Sequence, residues 1–378
     1  MTVRIAPSRS SHLVRTIDDQ AVCALLFDHG ALNLEQIREH TGLSESAAAE
    51  VVRRLCEKGI ARTTGRTDGT GRDTGADAFA LEPGYARAAA VSVREPDLLT
   101  VSVVDLDGAD HFIEELRVDF VAAPPEQIVT ATVARTGLDR IGHVQLALPG
   151  AYDSEEDLVS HIDIPAFEGR GLAERLSERT GTGVAIENDV NLAATAEASA
   201  AGDGGGFALA WIGAEGIGLG IVVDRTILRG ARGAAGEIGY APVGMPGAKQ
   251  GTLQEVVGGP TIRSLAAAHG IPTGNAARAV AAAVEEGKWA FLEALGERVA
   301  FALAIVVAVL DPARLVLGGE IPRCGSEVLR GFVEDALAGR GFACPVTLSA
   351  VSGDAVLAGA RLQSLRAVRR RVLDSLAV

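Results

Sequence analysis

The sequence predicts an α/β protein with more than one domain and a helical domain at its N-terminus. With 378 residues, the chain is too long for one ordinary hydrophobic core, so two or three domains are expected. Three segments with helical spacing and glycine stops fill residues 16–59. Further along, the apolar run 183–186 (GVAI) leads to Asn188 and Asp189, in the way that strands of α/β folds end by presenting polar side chains to a ligand.

Composition limits the classes to which the protein can belong. Apolar residues make up 48% of the chain and aromatic residues only 4%, which is typical of a core packed with Ala, Val and Leu. The apolar run that includes residues 301–310 is little more than half as long as a membrane-spanning helix needs. Residues 1–16 lack the apolar stretch of a signal peptide. We therefore expect a cytoplasmic protein without a membrane partner.

Charge is distributed unevenly along the chain. The formal net charge is −14, but residues 1–75 contain ten basic and ten acidic residues, so the excess of acidic groups lies in the remainder. An acidic body repels a polyanion, whereas a locally neutral segment permits its approach. Any contact with nucleic acid is therefore expected in the N-terminal segment.

The N-terminal segment predicts a winged helix-turn-helix. Helices are expected over residues 18–29, 34–41 and 45–58, with stops at Gly30, Gly42 and Gly59 and a cap at Ser44. The sequence TGLS between the second and third helices is the short link that a helix-turn-helix needs. Residues 61–78 are rich in Gly, Thr and Arg and precede a predicted strand at residues 79–81 (FAL), so this stretch is expected to form the wing.

The third helix is expected to read DNA with the face opposite its apolar stripe. The stripe is formed by Ala48, Val51, Val52 and Leu55. Arg53 or Arg54 could pair with guanine edges or phosphates. Glu50 would repel phosphate unless it accepts from a cytosine amino group. The predicted DNA-binding residues, including wing arginines able to enter a minor groove, are Ser44, Ser46, Arg53, Arg54, Arg62, Arg66 and Arg72.

The same unit has an alternative interpretation. Short three-helix units also serve as dimerisation or protein-docking modules, and a helix face with mixed charges is often simply solvated. Interaction with another protein therefore stays open beside DNA binding.

Five further segments, taken in order, carry a family resemblance. They are residues 146–150 (LALPG), 188–191 (NDVN), 216–220 (GIGLG), 230–239 (GARGAAGEIG), and 310–312 (LDP) leading to 317–319 (LGG). In this order they resemble the ROK family of repressors and sugar kinases, over roughly residues 85–378. The resemblance implies a two-lobed actin-like (ribonuclease H-like) sugar-kinase fold behind the winged helix-turn-helix. The expected domains are residues 1–83, a first lobe 84–188, a second lobe 189–353, and a C-terminal helix 354–378 that returns to the first lobe.

The resemblance also implies two turns that hold nucleotide phosphates, and both are altered in this chain. The family's Asp-x-Gly-x-Thr turn corresponds to residues 91–99 (VSVREPDLL), which offer no glycine, a proline without an N–H group, and the acidic Glu95 and Asp97. In the family's Gly-Thr-Gly-Ile-Gly turn, Glu215 replaces the hydroxyl residue. We therefore expect no cofactor and no enzyme activity.

The family's sugar contacts map onto Asn188, Asp189, Glu237, Tyr240 and Gln254. Carboxylates and amides suit a polyhydroxylated ligand because they hydrogen-bond to hydroxyl groups. In a kinase Asp189 would be the general base. Tyr240 replaces a zinc-ligating His of the family, and Gln254 replaces a Glu. Structural roles stay open: Asn188 could cap the following helix, Glu237 could support the glycine-rich loop, and Tyr240 could belong to the core.

No metal site is expected. The cysteines, Cys23, Cys56, Cys324 and Cys344, have no metal-ligand spacing, and residues 240–254 contain no cysteine where the family usually carries a zinc hook. The sequence thus predicts a transcriptional regulator whose inactive body binds a sugar or sugar phosphate. Its expected partners are a double-stranded DNA operator, that effector, and further copies in a homodimer or homotetramer. The alternatives are an effector-blind regulator controlled by protein contact and an atypical ATP-dependent sugar kinase.

Overall fold

The fold begins with a unit of three helices and a small sheet. A computed structural model describes residues 9–65, 77–95, 97–202, 205–214, 216–244, 251–271 and 274–377. The first elements are α1 (Arg9–His29), β1 (Leu32–Asn33), α2 (Leu34–Thr41), α3 (Glu45–Glu57), β2 (Ala61–Thr64) and β3 (Ala78–Leu81). Strand β3 pairs antiparallel with both β1 and β2 in a three-stranded sheet. We call residues 9–65 and 77–81 the N-terminal unit.

Local sequence signals set the helix ends of this unit. Asn33 Oδ1 accepts a hydrogen bond from the backbone of Gln36 at 2.9 Å, and the Gln36 side chain accepts one in return, which forms a capping box at the start of α2. Gly42 ends α2 in a left-handed conformation, and the Ser44 side chain caps α3. The predicted limits of α2 are confirmed, whereas α1 begins earlier than predicted, at Arg9.

The first of two large sheets has five strands, in the order β11-β7-β4-β5-β6. Strands β11, β7 and β4 are parallel, and β4, β5 and β6 are antiparallel. Small strands β8, β9 and β10 form a separate sheet. The bounds are β4 (Arg87–Glu95), β5 (Leu98–Asp105), β6 (Asp110–Arg117), α4 (Pro125–Arg135), β7 (Ile141–Leu148), β8 (Ala151–Asp153), β9 (Leu158–Ser160), β10 (Gly169–Arg170), α5 (Leu172–Thr180) and β11 (Gly183–Asn188).

The second layer is another five-stranded sheet, in the order β14-β13-β12-β17-β18, covered by helices with a core of Ala, Val and Leu. The largely apolar residues 291–310 belong to the helix α10, and the buried residues 315–318 form strand β17. The bounds are α6 (Asp189–Ala200), β12 (Phe207–Ile212), β13 (Ile217–Val223), β14 (Thr226–Ile227), β15 (Pro242–Val243), β16 (Gly251–Thr252), α7 (Leu253–Val257), α8 (Gly259–Ala268), α9 (Ala276–Glu285), α10 (Trp289–Leu310), β17 (Leu315–Gly318), α11 (Glu320–Gly339), β18 (Val346–Leu348) and α12 (Ala355–Ser375).

Helices α6 and α12 join the two sheets. Both contribute to a buried cluster that includes Ala90 of the first sheet and Leu209 of the second. The C-terminal half of α12 packs instead with the N-terminal unit, because Leu365 and Val368 share a core with Val22 of α1. One long helix therefore contacts both sheets and the N-terminal unit. None of the helices in the described ranges combines the length and apolarity needed to cross a membrane.

Candidate functional site

Two acidic side chains meet at the carboxyl ends of the parallel strands. Asp189 begins α6 directly after β11 ends at Asn188, and Glu237 precedes the short 3-10 helix Ile238–Tyr240. Desolvation raises the pKa of Asp189 to about 7, partly offset by the backbone N–H groups of the helix start and by the nearby Arg94. Desolvation also raises the pKa of Glu237 to about 7, and the Asp189 and Asp163 carboxylates add to this effect. The structure thus brings together the two carboxylates that the sequence singled out.

Tyr240 extends this acidic pair towards solvent. Its side chain is 47% exposed, so it does not belong to the core. Its pKa is raised by desolvation and then by Asp163, with which it forms a side-chain hydrogen bond, and by Glu237. The ring of His161 lies edge-on to Tyr240, with 5.4 Å between ring centroids. Asp163 and His161 were not predicted, since they lie in a loop between β9 and β10 that carries no motif.

Asn188 holds the start of α6. Its Oδ1 accepts from the backbone N–H of Asn191 at 3.0 Å, and its Nδ2 donates to the carbonyl of Gly150 at 3.2 Å. The side chain therefore connects the LALPG segment to the helix that carries Asp189. This is the capping role that the sequence left open, and it fixes the position of the Asp189 carboxylate.

Gln254 contacts the second of the two turns that correspond to the family's phosphate-binding turns, at the start of β13. Its Oε1 accepts from the backbone N–H of Ile217 at 3.0 Å. Its Nε2 lies only 2.8 Å from where a Cβ on Gly216 would stand. Gln254 of α7 thus lies against the start of β13, and this contact connects the turn to helix α7.

Two glycines let the surrounding elements approach closely. Gly220 of β13 faces α6, where an added Cβ would lie 2.7 Å from the Cβ of Ala194. Gly236 has a φ of +99°, and a side chain there would collide with the carbonyl oxygen of Leu219. These contacts hold α6 and the Glu237 loop on the same strand. Glycine spacing that resembles a phosphate motif therefore also has a packing reason.

The first phosphate-type turn is the hairpin between β4 and β5. Asp97 in this turn pairs with Arg117 of β6 at 2.7 Å. Arg94, near the end of β4, pairs with Asp354, whose side chain caps α12 by accepting from Leu357 at 3.0 Å. Arg94 was not predicted as a site residue, yet it is the cation whose charge lowers the pKa of Asp189. Pro96 and Glu215 of the two turns lie outside the described residues.

Three of the seven predicted DNA-binding residues lie at the start or on the exposed face of α3. Ser44 and Ser46 are exposed, with 3.2 Å between their hydroxyl oxygens. Arg53 is exposed and pairs with Glu50 at 2.7 Å and with Glu57. These pairs follow helical spacing and neutralise the guanidinium in the unbound protein. The predicted inward face of α3 is confirmed, since its four apolar residues are buried.

Arg54 lies away from this face. Its Nε donates to Oδ1 of Asp19 on α1 at 3.0 Å, and Asp19 is buried. The pair therefore holds α3 against α1, and of the two arginines Arg53 is the one that faces solvent. Arg62 is exposed on β2, with its Nε 3.7 Å from a Glu82 oxygen. The predicted contacts Arg66 and Arg72 lie outside the described residues.

Comparison with known proteins identifies the family. A model described as "ROK family" matches residues 126–361. The chain belongs to the ROK family. This confirms the resemblance found in the five ordered segments. The chain is also 28% identical over 215 residues to a glucokinase of Halalkalibacterium halodurans, a match that covers 51% of this chain and 65% of that enzyme. It thus spans less than two thirds of that curated relative.

Solved structures of both ROK branches share this fold. A ROK family transcriptional regulator, described as a homolog of the E. coli MLC protein, superposes with a TM-score of 0.72 at 19% identity. That similarity covers 96% of this chain and 99% of the regulator. A ROK hexokinase from Thermus thermophilus superposes with a TM-score of 0.59 at 22% identity, covering 75% of this chain and 99% of the hexokinase.

A zinc site of the kind that the family resemblance implies does not fit this ROK chain. Zinc in structural sites is held by thiolates and imidazoles, and residues 240–254 contain neither Cys nor His. Tyr240 instead hydrogen-bonds to Asp163. In the part of the chain that the structure describes, no three or more His, Cys, Asp or Glu side chains are grouped to hold a metal.

Proposed function

We propose that this ROK protein is a DNA-binding transcriptional regulator whose body binds a sugar or sugar derivative without phosphorylating it. The observation that carries the proposal is the N-terminal unit. Helices α2 and α3 are joined by a short link and followed by the β2–β3 hairpin, and this order of elements supports a winged helix-turn-helix. The regulator's fold matches 96% of the chain, whereas the hexokinase's fold matches 75%. The proposed domains are residues 1–83, 84–188, 189–353 and 354–378.

In this proposal α3 enters the major groove. Ser46 contacts a phosphate near the helix start, and Arg53 exchanges its two glutamate partners for a base edge or phosphate. Because Glu50 and Glu57 neutralise Arg53, the positive charge that attracts DNA would come from the wing, where Arg62 is followed by Arg66 and Arg72. Such binding would be strongly salt dependent. The protein would act in the cytoplasm, as a homodimer or homotetramer on paired half-sites.

The DNA-reading proposal can be tested with matched arginine substitutions in the full chain. An operator is selected from genomic fragments, and its affinity is measured by fluorescence anisotropy. Arg53→Ala should weaken binding about tenfold or more. Arg278→Ala removes another exposed arginine, on α9, and should leave the affinity nearly unchanged. Equal affinities of Arg53→Ala and wild type would favour the protein-docking alternative.

The effector would bind at the acidic pair. Asp189 and Glu237 can accept from or, when protonated, donate to sugar hydroxyls, and Tyr240 offers a further hydroxyl at the edge of the cleft. Asn188 and Gln254 hold the two sides of the cleft in place and complete the proposed ligand set. A panel of sugars and sugar phosphates should include one that raises the melting temperature, because a ligand of the folded state stabilises it by mass action. If no member of the panel does so, the effector-blind alternative stands.

Helix α12 offers a route from the effector to the DNA-reading unit. At its start, Asp354 pairs with Arg94 beside Asp189. Near its other end, the carbonyl of Leu373 accepts from the Gln20 side chain of α1 at 2.9 Å. A ligand that favours one arrangement of the cleft would thereby favour one position of α1 and the helices packed on it. In a dimer this would change the spacing of the two recognition helices.

An atypical sugar kinase is the second candidate, favoured by the kinase names of the curated relatives and by the pKa of Asp189. A carboxylate with a pKa of about 7 is suited to act as a general base. A coupled assay with ATP and common hexoses separates the candidates. We expect no turnover, since the first turn lacks glycine N–H groups. Turnover that disappears in Asp189→Asn would establish the kinase.

A further inference from the structure

A cavity lies at the C-terminal end of α6, whereas Asp189 of the acidic pair lies at the start of this helix. It has a volume of about 330 Å³ and is enclosed by α6, α12 and the β13–β14 hairpin. Three arginines line it, namely Arg225, Arg229 and Arg366, and no Asp or Glu is found among the described lining residues. In a chain with a net charge of −14, this lining is a local concentration of basic side chains, one of which, Arg229, is paired with Glu187.

The arginines are presented by different elements. Arg229 follows β14, and its Nε donates to Glu187 at 2.6 Å. Arg225 lies in the tight turn of the hairpin with a φ of +63°. Arg366 is exposed on α12 and forms no ion pair with any described residue. Ser199 and Gln363 add a hydroxyl and an amide to the lining. Two of the arginines thus come from the β13–β14 hairpin and one from α12, and the lining adds neutral hydrogen-bonding groups to them.

We propose that this cavity binds a small phosphorylated metabolite, with the phosphate group between the arginines. Guanidinium groups donate paired hydrogen bonds whose geometry matches phosphate oxygens. The volume lies at the lower end of small-molecule sites, about 300–1,000 Å³, so it suits a compact phosphate ester better than a nucleoside triphosphate.

The cavity is connected to the candidate sugar site through Arg229. Its partner Glu187 directly precedes Asn188 and also accepts from the Asn191 side chain at 3.0 Å. An anion that draws Arg229 away from Glu187 would loosen the strand end that carries Asn188 and Asp189. Since α6 and α12 both line the cavity, the bound anion would also contact the helices that join the two sheets. This regulatory consequence rests on the proposed function, whereas binding itself does not.

The test is calorimetric titration of the full chain at constant ionic strength, with inorganic phosphate, glucose 6-phosphate and citrate as probes. We expect saturable phosphate binding that Arg366→Ala weakens about tenfold, because one charged hydrogen-bonding group is removed. The matched control is Arg370→Ala, one turn further along the exposed side of α12 and outside the cavity lining. It should change the affinity less than twofold.

Three results would overturn the proposal. They are the absence of saturable phosphate binding, equal weakening in Arg366→Ala and Arg370→Ala, and citrate binding as tight as that of both phosphate probes. Both substituted residues are exposed, and melting curves of the variants verify that they fold. Inorganic phosphate contains no sugar and operator binding is not measured, so failure of the phosphate arm would leave the proposed function standing.

Discussion

The substitution Asp189→Asn should change the free energy of unfolding more favourably at pH 8 than at pH 5. The pKa of this carboxyl rises from 3.8 to about 7 in the folded protein. Between these values the folded chain holds a proton that the unfolded chain has released, so this group lowers the free energy of unfolding as pH rises through that window. At pH 5 the folded carboxyl is neutral, and at pH 8 it is ionised.

The magnitude follows from the part of the window between pH 5 and the folded pKa. Each pH unit corresponds to about 1.4 kcal/mol, so the two units add up to at most about 3 kcal/mol. The titration of Asp189 is coupled to that of Glu237. We therefore expect the effect of Asp189→Asn on the free energy of unfolding to differ by about 2 kcal/mol between the two pH values. Asn keeps an oxygen able to accept from the Val190 N–H group, which Asp189 now binds at 2.8 Å.

Urea unfolding followed by tryptophan fluorescence measures this difference. Trp211 lies in β12 and Trp289 begins α10, so the signal reports on the unfolding of the second sheet and the helices that cover it. Asp335→Asn on the exposed side of α11 is the control and should have the same effect at both pH values. An Asp189→Asn effect that is equal at pH 5 and pH 8 would refute the burial of this carboxylate.

Two further substitutions test the packing that positions the proposed sites. Arg54→Ala should destabilise the N-terminal unit by about 3 kcal/mol in thermal unfolding, since it leaves buried Asp19 unpaired. An unchanged melting temperature would mean that the Arg54–Asp19 pair does not hold α3 against α1. Gly220→Ala should cost about 1–3 kcal/mol and reduce any sugar-induced melting shift, because its methyl group would press on α6. Gly331→Ala on α11 has open space and should be neutral or stabilising, and equal destabilisation by both would contradict the tight contact.

Local chemistry made much of the N-terminal unit predictable. A cap and three glycine stops define helices over short distances, and the apolar stripe of α3 repeats with helical spacing. Neutralisation of Arg53 could also have been anticipated, because Glu50 and Glu57 stand three and four residues away on the same helix. Strand β1 is only two residues long and exists because β3 pairs with it, so no pattern predicts it.

The candidate site was predictable only in part. Asp189 and Glu237 were found through motifs, and their proximity follows from the packing of α6 and the Glu237 loop on β13. Asp163 and Arg94 reach them from separate loops and strands, and such partners depend on the tertiary arrangement alone. Which of the proposed ligand residues touch a sugar stays a prediction.

The most direct test of the account is an anisotropy titration of the full chain against its selected operator, at fixed salt, with and without each sugar and sugar phosphate. We predict operator binding with a dissociation constant of about 10⁻⁸ M or tighter, at least about a thousandfold tighter than for random DNA. One polyhydroxylated ligand should change that affinity about fivefold or more. Equal affinity for operator and random DNA would contradict the account.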